Sequence, residues 1–115
     1  MSDSNKSYSI TDLQVYLAHH YQGDRDEQGF FMKLVEEVGE VAEVLNQRAG
    51  RKAQDKADLD AELVTELADI IHYVVAIAAI NGLNLSQTII EKDKKAAIKY
   101  QHKRNLEEFL RKSKD

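Results

Sequence analysis

Two short stretches of this chain echo one another and are the natural place for chemistry. Leu34-Val35-Glu36-Glu37-Val38-Gly39-Glu40-Val41 and Leu63-Val64-Thr65-Glu66-Leu67-Ala68-Asp69-Ile70 both read Leu-Val-x-Glu-aliphatic-small-acid-aliphatic. Each places two carboxylates three residues apart, which on a helix brings them to one side. Measured from Val38, Glu37 and Glu40 lie at about −100° and −160°; measured from Leu67, Glu66 and Asp69 fall at the same offsets. In an antiparallel hairpin of two such helices, a two-fold axis perpendicular to the pair keeps equal offsets on one side. Glu37, Glu40, Glu66 and Asp69 are therefore expected to converge beside the hairpin seam. Four carboxylates that close repel strongly and stay ionised only if a cation compensates them. All-oxygen ligands select a hard ion, Mg²⁺, Mn²⁺ or Ca²⁺. Mg²⁺ keeps several waters and favours phosphate oxygens, which suits a site open to a phosphorylated ligand.

The bland alternative is a solvated helix face, the usual fate of acids at this spacing. Glu43, Glu62, Glu107 and Glu108 are assigned to that class. The matched pairs differ from them by their shared phase and by Gly39. A mid-helix glycine costs about 1 kcal/mol relative to alanine, so Gly39 implies that something requires the space.

The elements that would position these acids follow from punctuation. Proline is absent, which favours uninterrupted helices. A first helix is predicted from near Thr11, with Thr11 and Gln14 at capping-box spacing, to about Tyr21. A polar loop over Gly23–Gly29 leads to a second helix from Phe30 to about Ala49, with Gly50 as C-cap. Arg51–Lys56 reads as a connection. A third helix spans about Asp58 to Ile80 and stops at Asn81-Gly82. Ser86 caps a fourth helix reaching towards Leu110. Apolar stripes at Phe31, Leu34, Val38, Ala42 and Leu45, and at Leu63, Leu67, Ile71, Val74 and Ala78, are expected to form the seam. No strand-type alternation persists. The expected fold is all-α, an antiparallel four-helix-bundle-like domain.

The chain of 115 residues is expected to form one domain, with a core at about 10–101 and a tail at about 102–115. Apolar residues make up 43% and charged residues 31%, the mixture of a folded globular domain. The formal net charge is −4, which disfavours nucleic acid as a partner. Acids crowd between Glu36 and Asp69, whereas Lys and Arg collect from Lys92 onward, able to meet anions. The apolar run Ile70–Ile80 is far short of the ~20 residues of a membrane span, so no membrane partner is expected. The polar N-terminus and the absence of cysteine point to the cytoplasm. The broad apolar face of the third helix exceeds what one hairpin covers, so a homodimer or homotetramer is expected.

The string Lys33-Leu34-Val35-Glu36-Glu37-Val38-Gly39-Glu40-Val41-Ala42-Glu43, followed by Glu66-Leu67-Ala68-Asp69-Ile70-Ile71, resembles the EExxE…ExxD signature of MazG-like nucleotide pyrophosphohydrolases. These belong to the all-α NTP pyrophosphatase superfamily. The resemblance spans roughly Ile10 to Tyr100. It implies Mg²⁺-dependent cleavage of a nucleoside triphosphate between its α and β phosphates, releasing monophosphate and pyrophosphate, with Mn²⁺ able to substitute. It implies Glu37, Glu40, Glu66 and Asp69 as metal ligands, with Glu40 and Glu36 as the catalytic acids, Glu36 orienting or activating water. Relatives carry Lys-x-x-x-Asn-x-x-Arg-Tyr in the last core helix. Here Lys92 and Tyr100 fit, Ala96 replaces the asparagine, and Lys99 replaces the arginine, which removes a bidentate phosphate fork. Lys92, Lys95, Lys99 and Tyr100 are the expected substrate contacts on that helix. The bland alternative for the lysines is a solvated helix surface.

Tyr16, Tyr21, Phe30 and Phe31 lie near the first acidic motif and are candidates to line a base pocket. Phe31 is assigned to the core, and Tyr21 and Phe30 are kept as substrate contacts. Asp69 and His72 have the spacing of a di-iron ligand pair, but Glu40 is followed by Glu43 rather than a second histidine. His19 and His20 complement a helix dipole. Two alternatives stand beside the main expectation. One is a phosphoribosyl-ATP pyrophosphohydrolase with the same carboxylate logic. The other is a non-catalytic helical interaction module.

Overall fold

A computed structural model describes residues 6–50 and 58–114 of the chain. Among them it contains five helices: α1 (Ile10–His20), α2 (Glu27–Arg48), α3 (Leu59–Ile80), α4 (Leu85–Lys99) and α5 (Leu106–Lys114). The all-α expectation holds.

Local chemistry explains where the boundaries moved. Ser9 and Asp12 form a reciprocal capping box, each side chain accepting the other's backbone N–H at 3.0 Å, so α1 starts before Thr11. The Asp26 carboxylate accepts the Gly29 N–H at 3.0 Å, which starts α2 three residues ahead of Phe30 and shortens the expected loop. Asp58 caps α3 through the Ala61 N–H. Asn84, rather than Ser86, caps α4 through the Gln87 N–H. The expected connection Arg51–Lys56 lies outside the described residues.

The single fourth helix expected to reach Leu110 is in fact two. Gln101 adopts a left-handed backbone with φ 56°, and His102 N–H bonds back to the Ala97 carbonyl at 2.9 Å, ending α4. Asn105 and Glu108 then form a second reciprocal capping box that opens α5. Lys94 holds α5 against α4 through Glu107 at 2.9 Å. Residues expected as a tail thus include an ordered helix.

α2 and α3 form the antiparallel hairpin, the most extensive helix pair of the chain. At one end Arg48 meets Asp60 at 3.4 Å; at the other the Asn81 side-chain amide donates to Glu27 at 2.8 Å. α1 packs on α3 and contributes fully buried Leu17 to a core with Phe30, Val75, Ala76 and Ala79. α4 makes its main contacts with α1 and α5, so the four-helix bundle is not closed within one chain.

The hairpin seam is rotated from the expected one. On α2, Phe30, Leu34, Glu37, Val41, Val44 and Gln47 are withdrawn from solvent at a 4-3-4-3-3 spacing that faces α3, with Gly29 and Glu43 half-buried beside them. Val38, expected in the seam, is 52% exposed, and Leu45, Leu67, Ile71 and Val74 are exposed with it. Each helix carries two apolar stripes, and the chain covers only one of them. By length and composition α3 is long and apolar enough to cross a membrane, contrary to the shorter run counted above. The core helix of a soluble protein meets the same criterion.

Candidate metal centre

The rotation of the seam withdraws Glu37, Glu66 and Asp69 from solvent, while Glu40 stays exposed. Carboxylate oxygens of Glu37, Glu66 and Asp69 lie within 4.8 Å of one another, and so do those of Glu40, Glu62 and Glu66. Glu66 belongs to both groups. It is only 9% exposed, and its Oε2 is buried without a hydrogen-bond partner. The four acids singled out by the internal echo are therefore gathered around Glu66. Glu62, assigned to a solvated face, joins them. It sits one turn before Glu66 on α3 and is half-buried. Its spacing of four from Glu66 was visible in the sequence, but only the register of the hairpin shows that Glu40 reaches it.

Electrostatics follow from this crowding. The Glu66 carboxyl is pushed up to about 7 by a hydrogen bond with Glu37, then by burial, then by repulsion from Glu37, Glu62 and Glu40. Neighbouring carboxylates at this separation share a proton when no cation is bound. An orphaned, buried carboxylate oxygen amid an all-oxygen donor set fits a hard divalent cation. The residues present can hold a metal.

Other expected site residues are placed differently. Glu36 is exposed, lies outside both groups, and pairs with Lys33 at 3.5 Å. Lys92, Lys95 and Lys99 are all exposed on α4, and Tyr100, 63% exposed, follows at its C-cap. Because α4 packs on α1 and α5, the helix bearing these four is not part of the acid-bearing hairpin.

The two phenylalanines exchange roles. Phe30, kept as a substrate contact, is 9% exposed and part of the core, whereas Phe31, assigned to the core, is 54% exposed. The seam runs through position 30, one helical step from the stripe chosen on periodicity. Tyr21 packs against Phe30 at the edge of that core, and its hydroxyl is 2.7 Å from His72 Nε2. Burial raises the Tyr21 phenol above its ordinary value. His72 is thus engaged by Tyr21, and among the described residues neither carboxylate group includes a histidine. Gly39, expected to relieve crowding, faces open space within the chain. A groove of about 550 Å³ lined by Glu27, Gln28, Phe31, Met32 and Ile77 opens on the same hairpin. Sequence reasoning did not find it, because Phe31 had been assigned to the interior.

Comparison with known proteins identifies the family. The MazG nucleotide pyrophosphohydrolase domain family matches residues 25–106, which covers all five gathered acids. The chain belongs to that family, and nucleotide pyrophosphohydrolysis is the general activity that membership assigns. A crystal structure of iMazG from Vibrio DAT 722 is similar, with a TM-score of 0.54 and 31% identity over 84% of this chain and 100% of that one. The uncharacterized protein YpjD of Bacillus subtilis (strain 168) is 27% identical over 86 residues, 75% of this chain and 76% of that protein.

Proposed function

We propose that this protein hydrolyses nucleoside triphosphates, deoxynucleoside triphosphates foremost, to monophosphate and pyrophosphate with Mg²⁺, in a house-cleaning role in the cytoplasm. The observation that carries the proposal is Glu66, a nearly buried carboxylate with an unpartnered oxygen at the meeting point of four other acids. A non-catalytic scaffold would have no reason to retain it, because burying charge without compensation is destabilising.

Glu37, Glu40, Glu66 and Asp69 would hold Mg²⁺, or Mn²⁺ in its place. Bound there, the ion neutralises phosphate oxygens and makes a coordinated water more acidic. Glu36 stands on the same helix face as Glu40, and its partner Lys33 is itself exposed, so Glu36 is free to turn and accept the proton of the attacking water. The groove beside Phe31 and Met32, apolar with Glu27 and Gln28 at its rim, suits a flat base with a polar edge.

The active form is a homo-oligomer. Val35, Val38, Ala42 and Leu45 on α2, and Val64, Leu67, Ile71 and Val74 on α3, each repeat a 3-4-3 spacing and are exposed. Two adjacent helices offering parallel apolar seams match a second copy of the same hairpin, which would complete the bundle left open in one chain. That second copy is also the source of opposite charge, since Lys92, Lys95 and Lys99 lie on a helix outside the hairpin of their own chain. From a partner they would reach the departing pyrophosphate.

A panel of nucleotides with Mg²⁺, including phosphoribosyl-ATP, assayed for pyrophosphate against orthophosphate, tests the reaction. Pyrophosphate from a deoxynucleoside triphosphate is the expected outcome. Orthophosphate release, or turnover of phosphoribosyl-ATP alone, would refute the assignment. Glu40→Gln should abolish turnover and metal-dependent thermal stabilisation while leaving the helical content unchanged. Unaltered turnover in that variant would point back to a scaffold.

A further inference from the structure

Tyr21 touches both helices that bear the acids, although it belongs to neither. It is the C-cap of α1, and its backbone is held from both sides. Its N–H donates to the Leu17 carbonyl at 2.9 Å, and its carbonyl accepts the Asp24 N–H at 2.8 Å. The ring packs on Phe30 of α2 with centroids 4.7 Å apart, and the hydroxyl lies 2.7 Å from Nε2 of His72 on α3.

These two contacts fall at particular places on the hairpin. Phe30 lies on the inward face of α2, about two turns before Glu37. His72 follows Asp69 by about one turn of α3. Glu37 and Asp69 belong to one carboxylate group and reach it from opposite helices. Tyr21 therefore spans the seam close to where that group is assembled.

Chemistry distinguishes this contact from the apolar ones beside it. Leu17, Val75, Ala76 and Ala79 cohere through apolar surface, which attracts in no particular direction and permits small turns of α3. A hydrogen bond of 2.7 Å between half-buried side chains weakens steeply once donor and acceptor are misaligned. One residue of rotation would carry His72 through about 100° around α3, away from the Tyr21 hydroxyl. A Mg²⁺ site is equally exacting, since the ion demands near-ideal octahedral geometry at about 2.1 Å.

We propose that Tyr21 and His72 are positioning residues for the metal centre, their hydrogen bond setting the rotation of α3 against α2 at which Glu37 and Asp69 meet around Glu66. This rests on the reading of the gathered acids as a divalent-cation site. The pair acts through the helices and is not itself among those acids.

The test is Mn²⁺ binding by the full chain without nucleotide, following free Mn²⁺ by electron paramagnetic resonance. Tyr21→Phe removes only the hydroxyl and keeps the ring against Phe30. It should lower Mn²⁺ affinity at least about threefold while the helical circular dichroism is unchanged. His72→Leu breaks the same bond from the other side and should lose affinity to a similar extent. The double variant should lose no more than the larger single loss, because the bond is broken only once. His72→Gln, whose amide can still bond to the Tyr21 hydroxyl, should recover most of the affinity. Asn105→Ala removes the cap of α5, a hydrogen bond away from the hairpin, and should bind as wild type does. Wild type that takes up no Mn²⁺ would overturn the cation site itself. Wild type that binds, with Tyr21→Phe less than about threefold weaker, would overturn the positioning role alone. Losses that add in the double variant would do the same, by showing that the two residues act separately. So would an equal loss in Asn105→Ala or none recovered in His72→Gln, either of which would trace the effect to general loosening.

Discussion

At the scale of single residues, Glu66 organises the site, and its behaviour without metal is open to measurement. Its carboxyl is raised from an ordinary 4.5 to about 7, so between these values the folded protein holds a proton that the unfolded chain has released. Stability falls with rising pH wherever the native state binds more protons. The stabilising proton is fully present below 4.5 and lost as pH climbs through about 7. In EDTA, the urea midpoint is therefore expected to decline between pH 5 and about 8, and Glu66→Gln should flatten that decline. A midpoint that rises over this window would contradict the geometry. Saturating Mg²⁺ should reverse the trend, because the cation binds the ionised form and competes with the proton.

At the scale of elements, each helix boundary answers to a short polar device, and the hairpin is fastened at both ends. Leu17 is the residue through which α1 grips α3. It is fully buried, so Leu17→Ala should cost about 2–5 kcal/mol in urea unfolding. A loss below ~1 kcal/mol would mean that α1 is not integral to the core. The break between α4 and α5 gives the opposite sign. A left-handed conformation costs a non-glycine residue about 1–2 kcal/mol, so Gln101→Gly should raise stability by up to ~1 kcal/mol after its greater freedom in the unfolded chain is deducted. A destabilised Gln101→Gly protein would show that α4 and α5 do not end and begin there in solution.

At the scale of the whole molecule, the uncovered apolar seams are the dominant feature. Fully burying a valine, leucine or isoleucine side chain contributes roughly 1.5–3 kcal/mol, and seven of them on one face amount to far more than a monomer leaves in water without consequence. Ile71 and Leu45 belong to the exposed stripes but not to the carboxylate groups. The double variant Leu45→Asp/Ile71→Asp is expected to run as a monomer in light scattering, to keep its helical circular dichroism, and to lose turnover if the partner supplies the lysines. An unchanged oligomer would place the interface elsewhere.

How much of this was legible in the chain itself can be seen at particular positions. Most helix ends were close to readable, because Asp58, Asn81 and Gly50 act within their own turn of backbone. The meeting of Glu37, Glu40, Glu66 and Asp69 was also readable, since two helices with the same internal phase must bring matched residues together when they fold back on one another. What periodicity left undetermined was the face each helix turns inward. Val38 and Glu37 are one step apart, and α2 and α3 each bear two stripes at nearly the same spacing, so the amphipathic pattern is satisfied by either rotation. Only the arrival of α1 against α3, with Leu17 and Phe30 in one cluster, selects the rotation that places acids in the seam and leaves Val38 and Leu67 outside. The same rotation exposed Phe31, buried Phe30 and drew Glu62 towards Glu40. Contacts within one turn are written in the chain, whereas the choice between competing apolar faces depends on a third helix far away in sequence.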